Sequence, residues 1–134
     1  MELKHPLPSA AIDAFHMMWG NFPEGVVLLH KSREVIALNK AADKLGVLKQ
    51  GIKCSSVGTP EMHKGCLANK ALAEEKATHV FMPLADGYAV GFWVPLEGHP
   101  EYYLHFSVGQ TINYRTGEHR NPAELAQLFQ KVAN

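Results

Sequence analysis

The chain has 134 residues, 46% of them hydrophobic, which is enough for one domain with a real core. Lys plus Arg equals Asp plus Glu at 13 each, and without a dense basic run the sequence lacks the clustered positive field that a nucleic-acid partner requires. Its apolar stretches fall far short of the roughly 20 residues that span a bilayer, MELKHPLPSA lacks a signal peptide's apolar run, and two cysteines make no disulfide scaffold, so a cytoplasmic protein is expected.

The first predicted helix covers residues 9–19. Ser9 stands as its cap after Pro8, Ile12, Phe15 and Trp19 fall at i, i+3 and i+7, and Gly20 and Pro23 end it. Residues 25–30 and 35–38 read as strands around a polar turn at 31–34, and Asn39 sits where a helix N-cap is wanted, with Gly46 as the stop. Residues 49–58 are polar and small, hence a loop. Thr59 and Pro60 then open a second helix that runs to about residue 75, weakened by Gly65.

Three strands follow, at 78–84, 88–96 and 102–108, with Ala85, Asp86 and Gly87 as the first turn and Gly98, His99 and Pro100 as the second. In the middle strand Tyr88, Val90, Phe92, Val94 and Leu96 point one way while Ala89, Gly91, Trp93 and Pro95 point the other. Neither face is polar. The sheet must therefore be covered on both sides, by the domain's own helices on one and by the N-terminal helix or a second subunit on the other. Ile12, Phe15, Trp19 and Trp93 are the expected dimer contacts. Asn121, Pro122 and Glu124 open a last helix over 122–133, with Leu125, Leu128, Phe129 and Val132 on one face.

The stretch GVVLLHKSREVIALNKAADKL resembles the opening of a PAS domain, where a strand, a polar turn, a second strand and an Asn followed by small residues lead into a short helix. A Gly- and Cys-bearing segment, a helix and three strands ending in VGQTI extend the resemblance over residues 22–112. It implies an α+β fold, a five-stranded antiparallel sheet with helices on one face, to which the N- and C-terminal helices are added. It also implies sensing or docking in signal transduction and names no ligand; with the charge balance and the apolar faces, the expected associations are a homodimer, a signalling-protein partner and a possible small-molecule ligand, without nucleic acid or membrane.

Three groups of residues carry possible chemistry. Cys54, His63 and Cys66 lie within GIKCSSVGTPEMHKGC, similar to a PAS subgroup with G-x-x-C, a gap and C-P-G-C, and mixed Cys/His donors suit a transition metal. Haem b is the second reading: haem PAS domains carry a proximal histidine on the helix before the third strand, where His63 and His79 lie, with Leu67, Phe81, Met82 and Phe92 as pocket lining. Nothing matches the flavin-binding G-x-N-C-R-F-L-Q motif, and a covalent chromophore would have only the Cys66 thiol to hold it. A small cone-shaped α+β enzyme is the third reading, with Asp13 and His16, or Tyr103 and His105, as an acid–base pair. No catalytic motif is visible in the chain, so no enzyme is expected.

Overall fold

The apolar runs either side of the turn at 31–34 pair as predicted. Strands β1 (Val26–His30) and β2 (Val35–Leu38) are antiparallel, with a register shift between Leu28 and Leu29. The computed structural model describes residues 2–56 and 66–121; the predicted helix over 122–133, the Thr59 and Pro60 helix start, and His63 lie outside them. Helix α1 (Ser9–Trp19) precedes the hairpin, α2 (Lys40–Leu45) follows it, and α3 (Ala68–Glu74) leads into β3 (Thr78–Leu84), β4 (Gly87–Leu96) and β5 (His99–Val108). The five strands form one antiparallel sheet in the order β2-β1-β5-β4-β3. The first and last of its strands in the chain thus pair in the middle.

Local chemistry explains both the agreements and the differences. The Asn39 side chain caps α2 by accepting the Ala42 N–H, and Gly46 ends that helix in the left-handed region at φ 71°. Ser9 does not cap α1: Pro8 holds the cap position, Ser9 is already helical, and no side chain bonds the free N–H groups there. Strand β5 begins at His99 rather than 102, because Gly98 takes φ 81° and lets the chain reverse between Leu96 and His99. A short hairpin of β6 (Ile112–Asn113) and β7 (Glu118–His119) follows β5; its two-residue strands leave no periodicity to read.

Both faces of the sheet are apolar and both are covered. On one side α2 and α3 pack through Ala42, Ala68 and Ala71 on Val27, Leu29, Val35, Trp93 and Tyr103. On the other, Phe15 of α1 joins Val26, Leu28, Ile36 and Leu104, and Trp19 leans on Phe106 at 5.2 Å. Burying one such side chain contributes roughly 1.5–3 kcal/mol. The second face therefore goes largely to the chain's own N-terminal helix. Its far end stays open, with Phe81 and Tyr88 stacked on each other at 5.2 Å and both exposed.

Two buried polar side chains tie the ends of this arrangement. Asn39 accepts the Val26 N–H at 2.8 Å and the Ala42 N–H at 3.0 Å, while its amide donates to the carbonyls of Trp19, Phe22 and Glu24. Glu24 is 1% exposed. Its carboxylate accepts the N–H groups of Gly109 and Thr111, each at 2.6 Å, and the hydroxyls of Thr111 and Tyr114 at 2.9 and 2.8 Å. Four donors replace the lost hydration of the anion.

Candidate functional site

Alternate residues of β5 share a face, so Tyr103, His105 and Ser107 all point to the α2–α3 side. His105 stacks on Trp93, centroids 4.6 Å apart and planes within 10°. Its Nδ1 lies 2.9 Å from the Phe92 carbonyl. A carbonyl only accepts, so Nδ1 carries the proton and Nε2 of the neutral ring holds a lone pair. Burial lowers the pKa of His105 despite that carbonyl bond, which keeps the ring neutral near pH 7.

Nε2 has no partner among the described residues, whereas every fully buried side-chain nitrogen or oxygen there has one. The atom must therefore face open space. His105 lines a cleft of about 200 Å³ between β1, β5 and α2, with Val27, Ala42, Leu45 and Leu48 as apolar wall and Glu24, Ser107, Gln110 and Thr111 as its other polar groups. Gly91 faces the Ser107 hydroxyl across the strand pair, and a Cβ there would come within 3.4 Å of it. Glu24 and Thr111 are bonded to each other, which leaves the cleft the His105 acceptor, the Ser107 hydroxyl and the Gln110 amide beside its apolar wall.

A larger hollow of about 480 Å³ lies outside α2 and shares Gly25, Leu45 and Thr111 with the cleft. Two of the three cations that line it are engaged, Lys40 with the Asn21 side chain at 2.8 Å and Arg120 with Asp86 at 2.9 Å and the Gly109 carbonyl, and Lys44 is the third. The smaller cleft carries the unpaired acceptor of His105, and on that ground it is the stronger site.

No family model and no curated protein matches the sequence. Solved structures match the fold. The PAS domain of Bordetella pertussis BvgS aligns over 91% of this chain and 96% of that one, with a TM-score of 0.57 and 16% identity. A sensory box sensor histidine kinase from Vibrio cholerae covers 76% of this chain and 94% of its own, at TM-score 0.52 and 13% identity. A domain of an HTR-like protein from Haloarcula marismortui covers 63% and 95%, at TM-score 0.51 and 19% identity. This chain has the PAS fold. At such identities the likeness concerns architecture, and the chemistry of this chain has to come from its own residues.

Within the PAS framework the residues singled out from the sequence scatter. Phe81 and Phe92 lie on the α1 side of the sheet, with Phe81 60% exposed and Phe92 stacked on Phe106, whereas Leu67 packs with the helix-side core and the Met82 methyl reaches toward Gly91 there. The four do not line one pocket. Phe81 and Met82 are neighbours in a strand and so must face opposite ways. His79 is exposed beside Phe92, on the face away from Cys54, so it cannot join that thiol around one metal or enter a helix-side haem pocket. The dimer residues separate too: Phe15 is buried under α1, Ile12 and Trp19 pack against the same cluster, and Trp93 is buried on the other face.

Cys54 is half-buried and Cys66 exposed. Burial pushes the Cys54 thiol up, away from the thiolate a metal needs, and Arg33 only partly offsets it. Arg33 sits 5.7 Å over the Tyr103 ring and bonds Asn69 at 2.7 Å, closing this end of the helix layer. Among the described residues no three His, Cys, Asp or Glu side chains gather as a metal site. Asp13 and His16 are both exposed on α1, whereas Tyr103 and His105 share the helix side; burial raises the Tyr103 pKa, leaving it a poor acid–base partner. Ser107 and Gln110 were missed from the sequence. The available signal was His105 and Ser107 at alternate inward positions between the apolar Leu104, Phe106 and Val108.

Proposed function

We propose that this PAS domain is a sensory module of a signal-transduction system that binds a small organic ligand in the His105 cleft. The unpaired Nε2 of a half-buried, neutral histidine carries the reading, because a fixed acceptor beside an apolar wall selects a ligand with one matching donor. At about 200 Å³ the cleft is smaller than the roughly 300–1,000 Å³ of drug-sized sites, so the ligand is compact. It is neutral and mostly apolar, with an O–H or N–H aimed at His105. Protonation of Nε2 removes the acceptor, so affinity falls with acidification.

An NMR screen of phenols, indoles and cyclic amides tests this directly. Hits are expected to move the amide signals of His105, Ser107 and Gln110, and methylating the donor should weaken them by about tenfold, the worth of one buried hydrogen bond. Hits that cluster elsewhere, or methylated analogues that bind equally, overturn the site.

A second copy of the chain is the partner we infer for the open end of the α1-side face. Phe81 and Tyr88 on the sheet and Met17 and Met18 on α1 are large, exposed apolar side chains. Light scattering should find a dimer for the intact protein and a monomer for Phe81→Glu. A monomeric intact protein at high concentration rejects the pairing. No helix among the described residues is long and apolar enough to cross a membrane.

A further inference from the structure

The strap ahead of α1 is pinned to the β1–β2 turn by a histidine cluster that the ligand site does not use. The Glu34 carboxylate, its side chain 6% exposed, accepts the backbone N–H groups of Lys4 and His5, each at 2.9 Å. His5 lies flat on His30, ring centroids 3.8 Å apart and planes within 5°. The Tyr102 hydroxyl donates to the His5 carbonyl at 3.0 Å, and Leu7 beyond it is buried.

His30 supports this arrangement only as the neutral ring. The Ser32 backbone N–H points at its Nδ1 at 3.1 Å, and the Ser32 hydroxyl lies 2.9 Å from the same atom. A backbone N–H can only donate, so Nδ1 holds the lone pair and the ring proton sits on Nε2, 3.5 Å from Glu101. A second proton on Nδ1 would set two donors against each other and place a cation face to face with His5.

The surrounding charges do not reverse this. Glu101 favours the cation but is 55% exposed and shared with Lys31 at 3.0 Å; Glu34 lies 3.4 Å from the His5 ring, not against His30. Tyr102 meets His30 edge-on at 5.0 Å, and His99 meets Tyr102 at 6.3 Å. Burial of His30, followed by the effect of His5, lowers its pKa against the pull of Glu101.

We propose that the stacked His5 and His30 form an acid-released latch, in which a proton on His30 Nδ1 expels the Ser32 N–H and lifts the strap of residues 2–8 off the hairpin. At His30 the closed latch binds fewer protons than the open one. It is therefore fully stable above the ordinary histidine value of 6.5 and weakens as the pH falls below it.

Hydrogen exchange of the Lys4 and His5 amides in the intact protein, corrected for intrinsic rates, reads the latch from about pH 7.5 to about pH 5, where histidine titrates. Their protection should fall by up to about tenfold per pH unit, the limit for one proton, while the Val27 and Leu28 amides stay protected. In His30→Gln, which keeps an acceptor but does not titrate, protection should no longer follow pH. Nitrogen NMR of His30 in the unaltered protein should show the Nε2–H tautomer and a titration that coincides with loss of strap protection. Strap amides indifferent to pH, a His30 titration that leaves them unchanged, or an equal loss in His30→Gln overturns the latch.

Discussion

Asn39→Ala is expected to cost about 3–5 kcal/mol, well beyond the 0.5–2 kcal/mol of an ordinary helix cap. The side chain is 1% exposed, accepts two backbone N–H groups and donates to three carbonyls, joining the end of α1, the start of β1 and the first turn of α2. Truncation orphans the buried N–H groups of Val26 and Ala42 and the Glu24 carbonyl, while the Trp19 carbonyl keeps the Phe22 N–H. Asn39→Asp separates the roles, since it keeps the accepting oxygen and turns a carboxylate toward the carbonyls of Trp19, Phe22 and Glu24. It should lose at least about 2 kcal/mol. Denaturant unfolding measures both. A loss for Asn39→Ala inside the cap range would show that the three donated bonds contribute nothing.

Glu24→Ala should be of similar size, about 3–5 kcal/mol, because it strands the N–H groups of Gly109 and Thr111 at the exit of β5. Glu24→Gln keeps the shape but presents an NH2 group to a ring of donors, so it should also destabilise, by about 1–3 kcal/mol. Tyr114 gives a second readout. Burial, with the Glu24 carboxylate beside it, pushes its hydroxyl from 10 up to about 12. The fold favours the protonated phenol, so this contribution is complete below pH 10 and is lost as the pH rises toward about 12. In Glu24→Gln the phenolate should appear at lower pH than in the unaltered protein. An unchanged Tyr114 titration together with unchanged stability would refute the role given to Glu24.

Asn39 and Glu24 also mark how far a sequence can be read. Asn39 was legible because its cap bond spans three residues and is signalled by the strand, turn and small-residue helix around it. Its donated bonds, to residues 15 to 20 positions earlier, were not. Glu24 carries no such signal, since its donors stand 85 to 90 residues away and no local pattern connects them.

The same division runs through the fold and the site. Residue order and period-two alternation determined the hairpin, the two apolar faces of β4 and the PAS-like α+β architecture, because strand pairing and helix capping follow from neighbours in the chain. The alternation also carried a warning that Phe81 and Met82 cannot share a pocket. Tertiary structure alone decided that α1 covers the second face, that Trp93 and Phe15 lie on opposite sides of the sheet, and that α2 stands off β5 far enough to leave His105 an open cleft. It likewise brought His5 onto His30 across 25 positions of chain. Such contacts depend on packing between elements distant in sequence, where local propensity has no hold.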